Sequence, residues 1–316
     1  MIRHMAPRKL VLAYRSGQRN MGGKVMRVDQ LAAMARDHMG PRYKVETAAV
    51  PRHEKPRACR HFVSACKGAI VIFHKSAAAS LGPEYRASLR RVAAGICIDH
   101  LDIVAPPFEH GFIDIHIAAS LAGERELIKG LATLDVAPGT QVRHLRHHAD
   151  PRLKNRAPQQ ALAMGYFGLI GNATLPEHGL GSAIIPEYQR SGGVGADFLT
   201  QLEQANFHIC TRAPARPNKK GIRPTKPFTK GFNAATVGAN VLVNRQVDDA
   251  EYYLGEDYPF FIEDHSQVAL TEGIARASRE FGSNTWNVAR QRMDRIAQRV
   301  TAQKVVEDLE EICRLF

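Results

Sequence analysis

The sequence predicts two α/β domains, each a mostly parallel sheet covered by helices on both faces, and three observations carry that expectation. At 316 residues the chain exceeds what one hydrophobic core ordinarily organises. Short apolar runs alternate with amphipathic helical patterns through its first half. After a polar, proline-bearing stretch at 151–160 the same alternation starts again, so that stretch is the expected linker. The expected boundaries are 1–150 for the first Rossmann-like domain, 160–285 for the second and 286–316 for a helical C-terminal segment.

The apolar run 9–14 predicts the first strand. A Gly-bearing loop follows it, then a helical pattern of Val25, Val28, Leu31, Ala32 and Ala35. The run 45–50 comes after a Gly40-Pro41 break, and 69–73 lies between Gly68 and the polar His74-Lys75-Ser76. A helix over 83–94 leads into a strand at 95–98 that ends at Asp99. Strands at 112–118 and 141–145 flank a helix near 124–134. These strands read as unbroken apolar runs, the pattern of a parallel sheet buried on both faces. In the second half, strands are expected at 166–170, 182–185 and 207–211, with a helix over 196–206. A basic, Pro-rich loop spans 212–227. A helix at 229–237, closed by Gly238, feeds a strand at 240–243. Helices follow at 251–254 and 266–280, and from 286 onward one or two helices present Ala289, Met293, Ile296, Val300, Val305, Leu309 and Ile312 on one face.

Composition narrows the function classes. Cys59, Cys66, Cys97, Cys210 and Cys313 are scattered and show no C-x-x-C spacing, so neither a disulfide framework nor a zinc site is expected, and buried free thiols are. The formal charge of +12 calls for anionic partners. Its positive groups are dispersed and no nucleic-acid-binding signature accompanies them, which disfavours nucleic acid and leaves phosphorylated small molecules or an anionic membrane face. No run approaches the roughly 20 apolar residues of a membrane span, and the first nine residues lack a signal-peptide core, so a cytoplasmic location is expected.

Residues 226–243 read Lys-Pro-Phe-Thr-Lys-Gly-Phe-Asn-Ala-Ala-Thr-Val-Gly-Ala-Asn-Val-Leu-Val, and Asp248-Asp-Ala-Glu-Tyr-Tyr-Leu-Gly follows at 248–255. This segment resembles the donor-binding region of the group 1 glycosyltransferases of GT-B architecture. In that family a loop leads into a helix of small residues, a Gly ends the helix, a buried strand follows, and an acidic residue comes after the next loop. Residues 229–237, Gly238, 241–243 and Glu251 take those places here. The chain departs from the pattern at Pro227-Phe228-Thr229-Lys230, where an acidic residue and Gly are common, and at Asn233, where a second Glu is. The resemblance implies two Rossmann-like domains facing a cleft, with the C-terminal segment returning to the first. It also implies transfer of a sugar from a nucleotide-sugar donor in the second domain to a carbohydrate, lipid or small-molecule acceptor in the first, with no cofactor and no metal. A sugar-nucleotide epimerase of the same architecture and a non-catalytic carbohydrate- or nucleic-acid-binding protein are the alternatives.

The chemistry needs fixed cations and donors at a diphosphate whose charge grows as the glycosidic bond breaks. Arg212, Lys226 and Lys230 are the expected cations, and Thr229 is the expected N-cap of a helix whose free amides face phosphate. Glu251 would accept hydrogen bonds from ribose hydroxyls, as the resemblance implies. Asp248 and Asp249 read as ordinary helix-start acidity, and Lys219 and Lys220 as exposed loop residues. Gly22 and Gly23 would let the backbone approach a ligand. Asp99, His100 and Asp102 end an apolar strand, where ligands of open α/β sheets bind, and are the expected acid/base residues for the acceptor hydroxyl; strand-end capping is the competing reading. Lys75 ends another strand and is a further candidate. His147, His148 and Asp150 invite a metal reading, but adjacent strand residues point to opposite faces, so a structural role is expected.

Overall fold

The computed structural model describes residues 6–18, 22–102, 111–132, 139–156, 158–168, 175, 196–217 and 223–316. The chain forms two compact units: Met1–His147 with Pro217–Pro227 and Ala302–Phe316, and His148–Arg216 with Phe228–Thr301.

In the first unit β1 (Arg8–Arg15) leads to a continuous helix made of α1 (Gly22–Lys24), a wide π turn (Val25–Gln30) and α2 (Leu31–His38). Then come β2 (Tyr43–Val50), α3 (Pro56–Ala65), β3 (Ala69–His74), a 3-10 turn (Lys75–Ser80), α4 (Pro83–Val92) and β4 (Gly95–Leu101). β5 (Ile115–Ala118), α5 (Leu121–Ala132) and β6 (Gln141–His144) complete the run. The strands pair in the order β2-β1-β3-β4-β5-β6, all parallel. Every residue of β3 and β4 is buried because helices cover both faces. Strand alternation sorts the side chains. Leu10, Leu12, Ile70, Ile72 and Cys97 meet α2 on one face, while Val11, Val71, Phe73, Ile96 and Ile98 meet α3 and α4 on the other. The sequence analysis did not anticipate α3. Its buried Cys59, Phe62 and Val63 stand at helical spacing, but Arg57, Arg60 and His61 between them dilute the pattern.

The second unit holds β7 (Met164–Gly165), α6 (Ala196–Gln204), β8 (Phe207–Ile209), α7 (Thr229–Val237), β9 (Asn240–Asn244), α8 (Ala250–Leu254), β10 (Phe261–Ile262), α9 (Gln267–Glu280) and α10 (Asn284–Arg299). Among the described residues its sheet runs β10-β9-β8-β7, again parallel. The strand expected at 166–170 lies two residues earlier, and the one expected at 182–185 falls outside the described residues. The core is aromatic: Phe207, Phe260 and Trp286 pack edge-to-face or tilted at centroid separations of 5.3 to 5.7 Å. Gly238 ends α7 at φ 84°, the left-handed conformation that glycine adopts without a side-chain clash.

The segment expected at 286–316 divides. α10 buries Trp286, Ala289, Met293 and Ile296 in the second unit's core, whereas α11 (Ala302–Cys313) buries Val305, Val306, Leu309, Ile312 and Cys313 in the first unit's. Only the part after Thr301 belongs to the first unit, because the apolar face breaks register at Val300. All five cysteines are buried and unpaired. Among the described residues no helix is long and apolar enough to cross a membrane.

Candidate functional site

In both units the candidate residues gather where parallel strands end, since every strand of such a sheet delivers its C-terminal loop to the same edge. Among the described residues the three non-glycine residues with positive φ also stand there: Lys75 (51°) after β3, Leu101 (60°) closing β4, and Asp249 (61°) before α8. A left-handed residue costs about 1–2 kcal/mol, so these loops are held by their surroundings.

In the first unit Asp99 does not stand open to a substrate. Its Oδ2 accepts from Arg27 Nε at 2.7 Å in a pair with almost no exposed surface, and its Oδ1 accepts from the Leu101 amide at 3.2 Å. Arg27 sits in the π turn, donates from Nη1 to the Arg146 carbonyl at 3.0 Å, and keeps a buried Nη2 with no hydrogen-bond partner among the described residues. His100 lies at an irregularity between β4 and β5 and shares a 2.8 Å hydrogen bond with His116 of β5, the two rings stacking at 5.1 Å. Burial lowers the His116 pKa to about 4. The expected trio therefore does not form a shared acid/base group: Asp99 is the counter-ion of Arg27 and His100 belongs to an inter-strand pair. Asp102 alone of the three keeps a partly exposed carboxylate, 2.6 Å from Lys75 Nζ. The Asp102 carbonyl also accepts from the Thr225 amide at 3.1 Å, which ties Thr225 to the end of β4. Gly22 and Gly23 form the first turn of the helix after β1, and a side chain at Gly23 would meet Leu101 and His74.

In the second unit the expected N-cap moves by one residue. Phe228 occupies the cap position and no side chain caps α7; Thr229 is the first helical residue. The shift follows from packing, because the Phe228 ring is buried against Phe232 and Tyr253 and lies over Gly231. Lys230, on the first turn, holds its ammonium 4.0 Å above the Tyr166 ring. With Phe167, His208, Cys210 and Asn233 it lines a void no larger than a water molecule. Burial pushes the Cys210 thiol up to about 12 and lowers His208 to about 4, so both are neutral walls. Asn233 Oδ1 accepts from the Asp150 amide at 2.9 Å.

Arg212 is fixed at the ends of β8 and β9: its amide donates to Asn244 Oδ1 at 2.9 Å and its guanidinium pairs with buried Asp248 at 2.8 Å. Asp248 is thus a buried counter-ion, where the sequence suggested surface acidity. Glu251 is exposed on α8 and bonded by Arg245 Nη1 at 2.8 Å, while Arg245 Nε donates to Glu263 at 2.9 Å. Lys226 is exposed and belongs to the first unit; Lys219 and Lys220 lie outside the described residues. Sequence reasoning missed Arg27, Tyr166 and Arg245, because their significance lies in partners that no local pattern shows. Asp150 pairs with Arg152 at 2.7 Å, and no group of three metal-ligating side chains occurs among the described residues.

Two units, each built on a parallel sheet, define the GT-B class of fold, and solved structures share it. Anabaena Alr3699/HepE, crystallised with UDP-glucose, superposes with a TM-score of 0.67 at 11% identity, covering 98% of this chain and all of its own. Sucrose-phosphate synthase from Thermosynechococcus elongatus gives 0.62 at 12% identity, with 98% of each chain covered. AviGT4, a glycosyltransferase involved in avilamycin A biosynthesis, gives 0.59 at 16%, over 98% of this chain and 97% of its own. No protein-family model and no curated protein matches the chain in sequence.

Proposed function

We propose that the protein transfers a sugar from a nucleotide-sugar donor to a hydroxyl-bearing acceptor, without a metal ion. The observation that carries this reading is the start of α7, a nine-residue helix with no side-chain cap, at the strand-end edge of the second sheet, with Lys230 on its first turn. A helix start of this kind presents amide donors and a partial positive charge to a diphosphate. As the bond from sugar C1 to the diphosphate oxygen breaks, negative charge builds on that oxygen, and the Lys230 ammonium and the α7 amides stabilise it. Glu251 would accept from ribose hydroxyls by displacing Arg245. Arg212, held by Asp248, would add fixed positive charge to the loop after β8. The acceptor hydroxyl forms the new bond to C1 and loses its proton, for which Asp102 is the candidate recipient.

The test is a thermal-shift panel of UDP-, GDP-, ADP-, CMP- and dTDP-sugars with no added metal. A ligand that binds only the folded state raises its stability, by about 2.7 kcal/mol at a hundred times its Kd. One nucleotide family is expected to raise the melting temperature, and Lys230→Ala to weaken that nucleotide about tenfold, a loss of about 1.4 kcal/mol, while still folding. Unchanged affinity in folded Lys230→Ala would remove the α7 site.

A further inference from the structure

The chain's formal charge of +12 is not spread evenly. Residues 52–67 hold five cations, Arg52, Lys55, Arg57, Arg60 and Lys67, against one carboxylate, Glu54. All five are exposed, and none has an ion-pair partner among the described residues. Many other cations of the same unit are answered: Lys9 and Lys44 by Glu46, Lys24 by Asp29, Arg42 by Glu310, Arg90 by Asp114 and Arg146 by Asp308. The helix puts the unanswered charge in a line. α3 turns Cys59, Phe62 and Val63 inward, so Arg57, Arg60, His61 and Ser64, spaced i, i+3, i+4 and i+7, share its outer face. Lys55 takes the cap position before it, and Arg52 and Lys67 flank its two ends. This arrangement works against the helix that carries it. Arg57 and Arg60 repel at i, i+3, the first turn has no acidic residue, and no side chain caps it, so the cations there oppose the positive end of the helix dipole. Local choices that disfavour their own helix mark a functional surface.

We propose that the outer face of α3 docks the protein on an anionic lipid bilayer through headgroup contacts, without insertion. The apolar side of α3 is consumed by the core, and among the described residues the exposed large hydrophobic side chains, Ile128, Tyr252, Val268, Val288 and Leu315, all lie off α3 and α4. Nothing on this face can enter the acyl layer, so the attraction is electrostatic. Shape favours a bilayer over duplex nucleic acid. α3 and α4 touch and cover the same face of the sheet, with Phe62, Val63 and Leu89 in one core. Two such neighbours, each about 10 Å across, form a layer about 20 Å wide. A major groove of about 12 Å does not admit that layer, whereas a plane meets the whole length of α3. α4 adds exposed Arg91 and, against it, Glu84. Each Lys or Arg near an anionic membrane strengthens binding about fivefold, so the five together give attachment that salt reverses. This surface does not depend on the transfer reading.

The experiment is cosedimentation of the full chain with vesicles of phosphatidylcholine alone, and of phosphatidylcholine carrying about one third phosphatidylglycerol, at about 0.1 M and about 0.5 M salt. Binding is expected to the anionic vesicles only, and is expected to be lost at the higher salt. Arg57→Ser combined with Arg60→Ser should weaken it about thirtyfold while melting as the native chain does. Arg57→Lys combined with Arg60→Lys should keep it, since the charge stays in place. Arg279→Ser combined with Arg295→Ser removes the same charge from exposed positions of the second unit and should change binding far less. The proposal is overturned if anionic vesicles do not sediment the chain, or if the Arg57→Ser, Arg60→Ser chain binds as the native one does. It is equally overturned if the Arg279→Ser, Arg295→Ser chain loses as much, or if a random-sequence duplex oligonucleotide binds through Arg57 and Arg60 more tightly than the vesicles do. Nucleotide-induced stabilisation is expected to be native-like in the Arg57→Ser, Arg60→Ser chain, so failure of the docking surface and failure of the transfer reading are separate results.

Discussion

Among the described residues Arg27 is the largest fully buried side chain and Asp99 its carboxylate partner, so the pair is held together by the cost of separating it. Removing one member of a buried pair strands the other charge and typically costs 3–5 kcal/mol. Asp99→Ala should therefore lower stability by about that much in urea unfolding, and adding Arg27→Met should recover most of it. A stable Asp99→Ala protein with lost turnover would instead return Asp99 to the catalytic role expected from sequence. The pair itself was not legible in the sequence, because Arg27 lies 72 residues from Asp99 and no local pattern shows which carboxylate is neutralised. The buried histidines give a second residue-scale expectation. Burial lowers His74, His116, His144 and His208 from the ordinary 6.5 to about 4. Between those values the unfolded chain binds protons that the folded chain refuses, so this stability is present above pH 6.5 and is lost as pH falls toward 4. Each histidine contributes a slope of up to about 1.4 kcal/mol per pH unit. Melting temperature should drop steadily over that window and drop less in His208→Gln; a flat profile would contradict the buried neutral state.

Among elements, α7 joins the sequence reading most directly to the site. Its span, Thr229–Val237, and its Gly238 stop were legible because small residues, a terminating glycine and an apolar strand follow one another without interruption. The cap was not legible, since a Thr at a helix start is the usual N-cap and only the tertiary packing of the Phe228 ring displaces it. That ring covers Gly231 so closely that a Cβ would overlap it. Gly231→Ala is expected to push Phe228 out of its contacts with Phe232 and Tyr253, costing about 1–3 kcal/mol as an overpacked site does. On the proposed reading, in which the helix start holds the diphosphate, it should also weaken the nucleotide. Native-like melting and affinity in that variant would show that the start of α7 repacks freely. Parallel strands were legible for a different reason: buried on both faces, they leave unbroken apolar runs. The short β7 and β10 leave too few residues to fix their ends.

At the scale of the whole molecule, neither unit is a continuous piece of chain, and the sequence pattern does not show this. The apolar face from Ala289 to Ile312 reads as one stripe, yet Val300 closes one core and Val305 opens the other. The first unit's sheet is complete by His144, but its α2 face is covered by α11 from the far end of the chain. Deleting residues 302–316 would bare Leu31, Ala35 and the strand residues beneath them, and would remove the burial of Val305, Val306, Leu309 and Ile312. At about 1.5–3 kcal/mol for each such side chain, the loss is about 6–12 kcal/mol. That is comparable with the 5–15 kcal/mol by which a typical protein is stable. A chain ending at residue 301 is therefore expected to lose cooperative melting of its first unit, while its second unit, which contains all of α10, retains nucleotide-dependent stabilisation. Two transitions should be resolved in the full chain's calorimetry if the units melt separately, and the earlier or later of them should vanish on truncation. A truncated chain that melts as the native one does would mean that α2 and the sheet close without α11, and that the returning helix is an accessory to the fold rather than part of its core.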